Sequence, residues 1–213
     1  MKKSQITICA ALVAAFVATE AKSDTLAEQN YAFGGLGIFQ YGDKLAGETL
    51  GTGAGVEAGA NFNIAPQIDV AGYMYYYSAS KNGFTVSGLN IGADASYWFM
   101  PKTQINPYAG AGLYLSNVKA EYEYDYGFGV SGKVSDSDNN IGLKVFGGAE
   151  FDLDPSLLLR TSLALAFIDG ENDLCFSVIG GYKLNEQFTP YARFEYWTDN
   201  GDIIFNIGTV FKF

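Results

Sequence analysis

Histidine is absent from this chain. That absence removes Ser–His and Cys–His nucleophilic pairs, histidine metal sites and imidazole acid–base chemistry together. Cysteine is nearly absent too: Cys9 lies in the N-terminal apolar run, which leaves Cys175 with no intramolecular disulfide partner. Basic residues are scarce, 13 against 23 acidic ones, and the formal charge of −10 repels the phosphate backbone of nucleic acid. Past the N-terminus no apolar stretch approaches the roughly 20 residues that a membrane helix needs. Any membrane role must therefore use strands, whose backbone groups are satisfied by their neighbours. The 26 glycines lack the period of collagen, and the five prolines fall at turns or strand starts.

The first residues have the form of an export signal. Lys2 and Lys3 supply a positive start, and Ile6 to Ala18 supply an apolar run too short to span a bilayer. Cleavage follows either Ala21, with Thr19 at −3, or Ser23, with Ala21 at −3. The expected organisation is thus a signal peptide within residues 1–23 and one β-barrel domain over residues 24–213.

Period-two alternation dominates the rest. From Ile141 to Leu153, one face carries Ile141, Leu143, Val145, Gly147, Ala149, Phe151 and Leu153, while the other carries Gly142, Lys144, Phe146, Gly148, Glu150 and Asp152. Successive strand side chains point to opposite sides, so this is a half-buried strand. Leu157 to Ile168 repeats the pattern after the tight turn Asp154-Pro155. The same test places strands near 31–41, 52–64, 67–78, 84–99, 107–120, 139–153, 156–168, 173–184, 188–198 and 203–213. Ten strands make an antiparallel up-and-down barrel, with eight as the alternative. Connections after even-numbered strands are short. Those after odd-numbered strands include two long polar segments, Gly42 to Gly51 and Glu121 to Asp138, and compact loops at Asn82-Gly83, Asp169-Gly170 and Asn200-Gly201. Short turns on one side and longer loops on the other are the asymmetry of a bacterial outer-membrane barrel.

Charges obey the same parity. Glu57, Asp69, Asp94, Lys144, Glu150, Asp152, Arg160, Lys183, Arg193, Glu195 and Lys212 all fall opposite the apolar face. Alternation alone does not say which face points outward. The charged face is rich in small residues such as Gly110, Gly112, Gly142 and Gly148, which suits a confined lumen. Aromatics gather at strand ends as two girdles, Phe62, Tyr97, Phe99, Phe151, Phe188, Phe211 and Phe213 at one rim and Phe39, Tyr76, Phe167, Phe176 and Tyr196 at the other. The apolar face is therefore expected to meet lipid.

The last strand presents Phe205, Ile207, Thr209, Phe211 and Phe213 on one face. This ending resembles the carboxy-terminal assembly signal of bacterial outer-membrane proteins, an amphipathic strand closing on an aromatic residue. The chain as a whole resembles the small outer-membrane barrel superfamily that contains OmpX-like, OmpA-barrel and opacity-type proteins. The resemblance implies residence in the outer membrane of a Gram-negative envelope, contact with membrane lipid and lipopolysaccharide, delivery by the outer-membrane assembly machinery, and a monomer. It implies no cofactor and no peptidoglycan anchor, since the domain that follows the OmpA barrel is missing. Ten strands depart from the eight usual in those relatives. Barrel phospholipases, lipid A deacylases and omptin-type proteases resemble one another in relying on a histidine, which this chain lacks.

Candidate functional residues follow from height along the strands. Glu150 and Arg160 stand at similar height on adjacent strands, with Arg193, Glu195 and Asp94 comparable, so these five are expected to form a lumen network of opposite charges. Tyr122, Tyr124 and Tyr126 alternate with Glu121, Glu123 and Asp125, which suggests strands projecting beyond the membrane as a contact surface for an extracellular ligand. Asp136, Asp138 and Asn139 lack the glycine and distal glutamate of a recognised calcium loop, so no metal site is assigned. Cys175 is read as an inert inward residue. The first functional reading is a non-enzymatic barrel with a structural or adhesin-like role through its loops. A narrow small-solute channel is the runner-up, and a lipid-modifying enzyme built on carboxylates and serines is the third. Deleting Phe213 is expected to slow barrel insertion, measured as folded yield in outer-membrane fractions; an unchanged yield would remove the assembly reading of the last strand.

Overall fold

The computed structural model describes residues 25–213 apart from 43, 46, 47, 50, 102, 126–130, 155 and 200. The expected signal segment, residues 1–23, lies outside the described residues. Ten long strands close into one antiparallel barrel. They are β1 (Tyr31–Gln40), β2 (Thr52–Ala65), β3 (Ile68–Lys81), β4 (Phe84–Trp98) and β5 (Ile105–Asp125), then β6 (Ser131–Asp154), β7 (Leu157–Ile168), β8 (Glu171–Tyr182), β9 (Phe188–Trp197) and β10 (Ile203–Lys212). Each pairs with its sequence neighbours, and β1 closes the ring against β10 from Tyr31↔Lys212 to Gln40↔Ile203. Closure leaves no barrel edge unpaired over the shared height, as a lipid-embedded sheet requires. A short pair, Lys44–Leu45 with Glu48–Thr49, lies in the first long connection.

Turn chemistry agrees with the hairpins. Asn82 and Gly83, and likewise Asp169 and Gly170, both take positive φ. That is the pairing a two-residue turn needs to match strand twist.

The outward face is apolar: Leu36, Met74, Leu113, Leu143, Leu163 and Ile207 are all exposed, and Ile141 is 71% open. On β6 this face runs from Ile141 to Leu153, roughly 28 Å of membrane height at typical strand rise and tilt. Phe62 pairs with Phe213, Tyr97 with Phe99 and Phe188 with Phe211 at the lower rim, ring centroids 5.0–6.2 Å apart. Tyr76, Phe167, Phe176 and Tyr196 are exposed at the upper rim. Phe39 does not belong with them. It is 5% exposed and points into the lumen, because Leu36 and Ile38 hold the outward parity of β1.

Inward aromatics lie flat on glycines directly across the ladder. Tyr77 covers Gly88, Tyr73 covers Gly92, Phe146 covers Gly110, Tyr114 covers Gly142 and Phe39 covers Gly53, each a register pair. A side chain at any of these glycines would push its ring off the wall. The small residues of the charged face therefore make room for rings rather than for water, and the lumen keeps an open centre.

Leu163 is 51% exposed on the lipid face, while Ala164 pairs with Phe146 and Cys175 on the lumen side. Leu163→Arg is expected to cost ~2–4 kcal/mol of stability in lipid. A spin label at 163 should be relaxed by lipid-soluble oxygen and one at 164 shielded from it; two water-exposed labels would overturn the assignment of faces.

Candidate functional site: a plugged lumen and a raised hairpin

The lower end of the lumen is built around Glu150. Its carboxylate faces Arg160, its register partner on β7, whose Nε and Nη2 donate to Oε2 at 3.0 and 2.6 Å. The other oxygen, Oε1, accepts the backbone N–H of Leu26 at 2.7 Å and the hydroxyl of Thr25. The segment before β1 thus sits inside the barrel. Ala27 N–H donates back to Thr25 Oγ1 at 2.9 Å. Glu28 accepts from Gln67 N–H at 2.7 Å and donates its own N–H to Asp69 at 3.3 Å, while Asn61 Nδ2 holds the Gln29 carbonyl at 2.8 Å. Leu26 packs with Tyr31, Leu158, Tyr191 and Val210, and Ala27 with Trp98 and Tyr108. Glu150 and Ala27 have no exposure and Thr25 has 1%. Among the described residues these three side chains are therefore closed to water, while Leu26 and Arg160 face the cavity above. A carboxylate so buried is tolerable only because a guanidinium and two further donors surround it. Arg160 also lies 5.3 Å from the Trp98 ring and 5.7 Å from Tyr108.

Higher in the lumen the charges form separate groups. Glu57 on β2 is bound by Arg193 and by the Tyr191 hydroxyl, and it accepts from Asn206 Nδ2 at 3.2 Å. Arg193 also meets Glu195 at 3.3 Å. On the opposite wall Asp94 pairs with Lys144 at 2.9 Å, and the ammonium stands 4.6 Å from the Tyr73 ring centroid. Near the lower rim Lys183 reaches Asp152 at 2.7 Å. The five residues expected in one network, Asp94, Glu150, Arg160, Arg193 and Glu195, therefore lie in three groups. Only Glu150–Arg160 and Arg193–Glu195 meet among themselves; Asp94 is joined to Lys144 instead. Sequence parity put Glu57 and Lys144 on the inward face without naming their partners. Thr25 to Gln29 carry no alternation that would mark them as lumen residues.

Above the floor a cavity of about 550 Å³ remains, with Leu26, Leu158 and Arg160 at its base and Glu171, Asp173 and Asp199 at its upper rim. Cys175 is buried beside Ala164 and forms no disulfide.

β5 and β6 continue past the apolar band, pairing as far as Asp125↔Ser131. The connection from Glu121 to Asp138 is therefore mostly strand, as the alternation of its tyrosines and acids suggests. Leu115↔Ile141 is the last apolar outward pair on this hairpin. Beyond it the outward face carries Lys119, Glu121, Glu123 and Lys133. Lys119 and Lys133 reach Glu121 at 2.6 and 3.0 Å, and Lys133 reaches Glu123 at 3.6 Å. Hydrogen bonds from Lys119 and Lys133 hold the Glu121 carboxyl below its ordinary pKa, and Glu121 raises that of Lys133. The face that continues the lumen wall carries Phe84, Tyr122, Tyr124 and Val134, with the Phe84 and Tyr124 rings 6.1 and 6.3 Å from Tyr122. Polarity thus inverts where the hairpin leaves the lipid. Tyr126 lies outside the described residues.

β6 pairs with β7 only from Gly142 downward, so Ser131 to Asn140 present a raised outer edge. Asp136 and Asp138 each accept the N–H of the following residue at 2.9 Å, and Asn139 accepts from Asn117 Nδ2 at 2.6 Å. These side chains cap edge donors, and no group of three or more metal-binding side chains occurs among the described residues. Charged residues on an edge strand also discourage unwanted pairing.

A closed ten-strand barrel with an apolar outer band, aromatic girdles and an ion-paired lumen defines a small outer-membrane protein. The family model of the outer membrane protein beta-barrel domain matches residues 8–173, and the chain belongs to that family and resides in the outer membrane. Among solved structures, the β domain of the Bordetella autotransporter BrkA is similar at a TM-score of 0.52 and 14% identity, covering 88% of this chain and 100% of that one. The outer-membrane protease OmpT of Escherichia coli matches at 0.51 and 12%, with 88% and 98% covered. The translocator domain of the autotransporter NalP from Neisseria meningitidis matches at 0.50 and 9%, with 99% and 95% covered. At such identities the likeness shows the fold alone. No curated protein matches the chain.

Glu150→Ala would strand Arg160 in the floor, and breaking a buried pair in this way typically costs ~3–5 kcal/mol. Glu123→Ala on the exposed hairpin should change stability by less than about 0.5 kcal/mol. Urea unfolding in lipid vesicles reads both; equal effects would show that the floor contributes no more than a surface pair.

Proposed function

We propose that this protein is a non-enzymatic outer-membrane barrel that acts through its extracellular face, in a structural or adhesin-like role. The observation that carries the reading is the β5–β6 hairpin, which rises above the lipid band as ordered sheet with an aromatic inner face and a charged outer one. A raised tyrosine surface offers contact area and hydroxyls at low entropic cost, as binding loops do. The absence of histidine supports the non-enzymatic part, since the resemblance to OmpT lies in the barrel and not in its chemistry.

A small-solute channel is the second reading, favoured by the open upper lumen. The buried layer of Thr25, Ala27 and Glu150 argues against steady conduction, because an ion would have to displace it. Purified protein in planar bilayers is expected to show no steady unitary conductance. A variant lacking residues 25–29 should conduct. Stable channels from the intact protein would favour the second reading and contradict the first.

A further inference from the structure

The cavity above the floor has a composition that the surface role leaves unused. Acidic side chains around it number seven and basic ones three. Each basic group is already engaged: Lys144 with Asp94, Arg160 with Glu150, and Arg193 with Glu57 and Glu195. The excess of negative charge collects at the upper rim, where Glu171, Asp173 and Asp199 come from two neighbouring hairpin ends. Asp173 is fixed there by the N–H groups of Thr198 and Asp199 and by the Thr198 hydroxyl, at 2.9–3.2 Å.

Aromatic rings line the way down from that rim. Tyr41 and Tyr77 stand 6.2 Å apart and Tyr77 and Tyr75 5.8 Å apart, centroid to centroid. The Tyr75 hydroxyl and Asn90 Oδ1 are buried at this wall and have no hydrogen-bond partner among the described residues. A hydroxyl and a carbonyl oxygen both accept from a donor. The wall therefore offers carboxylates, aromatic faces and unused acceptors, with no unengaged basic group. The chain already holds its own cations this way, with Lys144 against Asp94 and the Tyr73 ring, and Arg160 against Glu150 and the Trp98 ring.

We propose that the upper lumen is a binding cup for a small organic cation, an amine or guanidinium compound entering from the extracellular side. The volume, about 550 Å³, falls within the usual range of small-molecule sites. The rim carboxylates attract the cation, and the Tyr41–Tyr77–Tyr75 ladder takes its charged end against ring faces. The closed floor makes the cup a dead end, so the ligand binds and leaves by one route. The proposal shares with the functional reading only the outward orientation of the mouth.

Calorimetry on the full-length folded protein in detergent tests it, with agmatine as the probe and glucose and succinate as neutral and anionic comparators. Agmatine should bind saturably and weaken as salt rises, while glucose and succinate should not bind. The double variant Glu171→Gln with Asp199→Asn, and separately Tyr75→Ala, should each weaken agmatine by roughly tenfold. Glu123→Gln, on the hairpin outside the cup, should leave it unchanged. Each variant's fold is checked by its gel mobility before and after heating, and either lumen variant that folds suffices. The proposal is overturned if agmatine fails to saturate, if glucose or succinate binds as tightly, or if folded lumen variants keep full affinity. Loss of agmatine binding on Glu123→Gln would also overturn it, by moving the site to the hairpin. The surface role does not depend on this outcome, whereas a conducting intact protein would contradict that role and the dead end of the cup, and agmatine binding would still decide the cation site itself.

Discussion

The Glu150 carboxylate, with no access to solvent, sets the terms for the rest of the molecule. A carboxylate at that depth must be matched by donors, and two chain segments converge to supply them: Arg160 from the next strand, and Thr25 and Leu26 from the segment before β1. The convergence pulls the N-terminal segment into the barrel and shuts its lower end. With water excluded there, each inward charge nearby also needs a partner, and Asp152–Lys183 and the Trp98-to-Asp69 bond of 2.8 Å are the local answers. The cation–π contacts of Arg160 follow from the same constraint, because a poorly hydrated guanidinium is held well by ring faces.

That constraint divides the molecule into three levels along its axis. The floor is dense and ion-paired. The middle is a cup whose aromatics are folded against glycine walls, leaving room for a solute. The top is a hairpin whose face polarity is reversed because lipid no longer lies outside it. A barrel used only as an anchor would need the first level alone. The upper two levels are where this chain has surface to offer a partner, and the proposed roles rest on them.

Legibility in the sequence followed the same division. The ten strands were readable because a period of two persists wherever one face meets lipid. Glu150 and Arg160 were readable as neighbours because they sit across one short turn. Glu57 and Arg193 were not, since they lie 136 residues apart and meet only when β1 and β10 close the ring. Phe39 was misplaced in the upper girdle because an aromatic at a strand end looks alike on either face; the outward parity of Leu36 and Ile38 decides it. The raised hairpin is legible beyond residue 120 because tyrosines keep alternating with acids there, although its outward face turns from apolar to charged. The plug carried no signal at all. Thr25 to Gln29 have neither alternation nor a motif, and only the pocket formed by distant strands gives them a place.

Closure of the lumen by the N-terminal segment through Glu150 is read out by amide hydrogen exchange at Leu26. In lipid nanodiscs, the Leu26 N–H bonded to Glu150 is expected to exchange as slowly as the amides of the neighbouring barrel strands, and to become fast in Glu150→Gln. Exchange of Leu26 at the rate of an exposed loop in the unmodified protein would contradict the plug and leave the barrel open at its lower end.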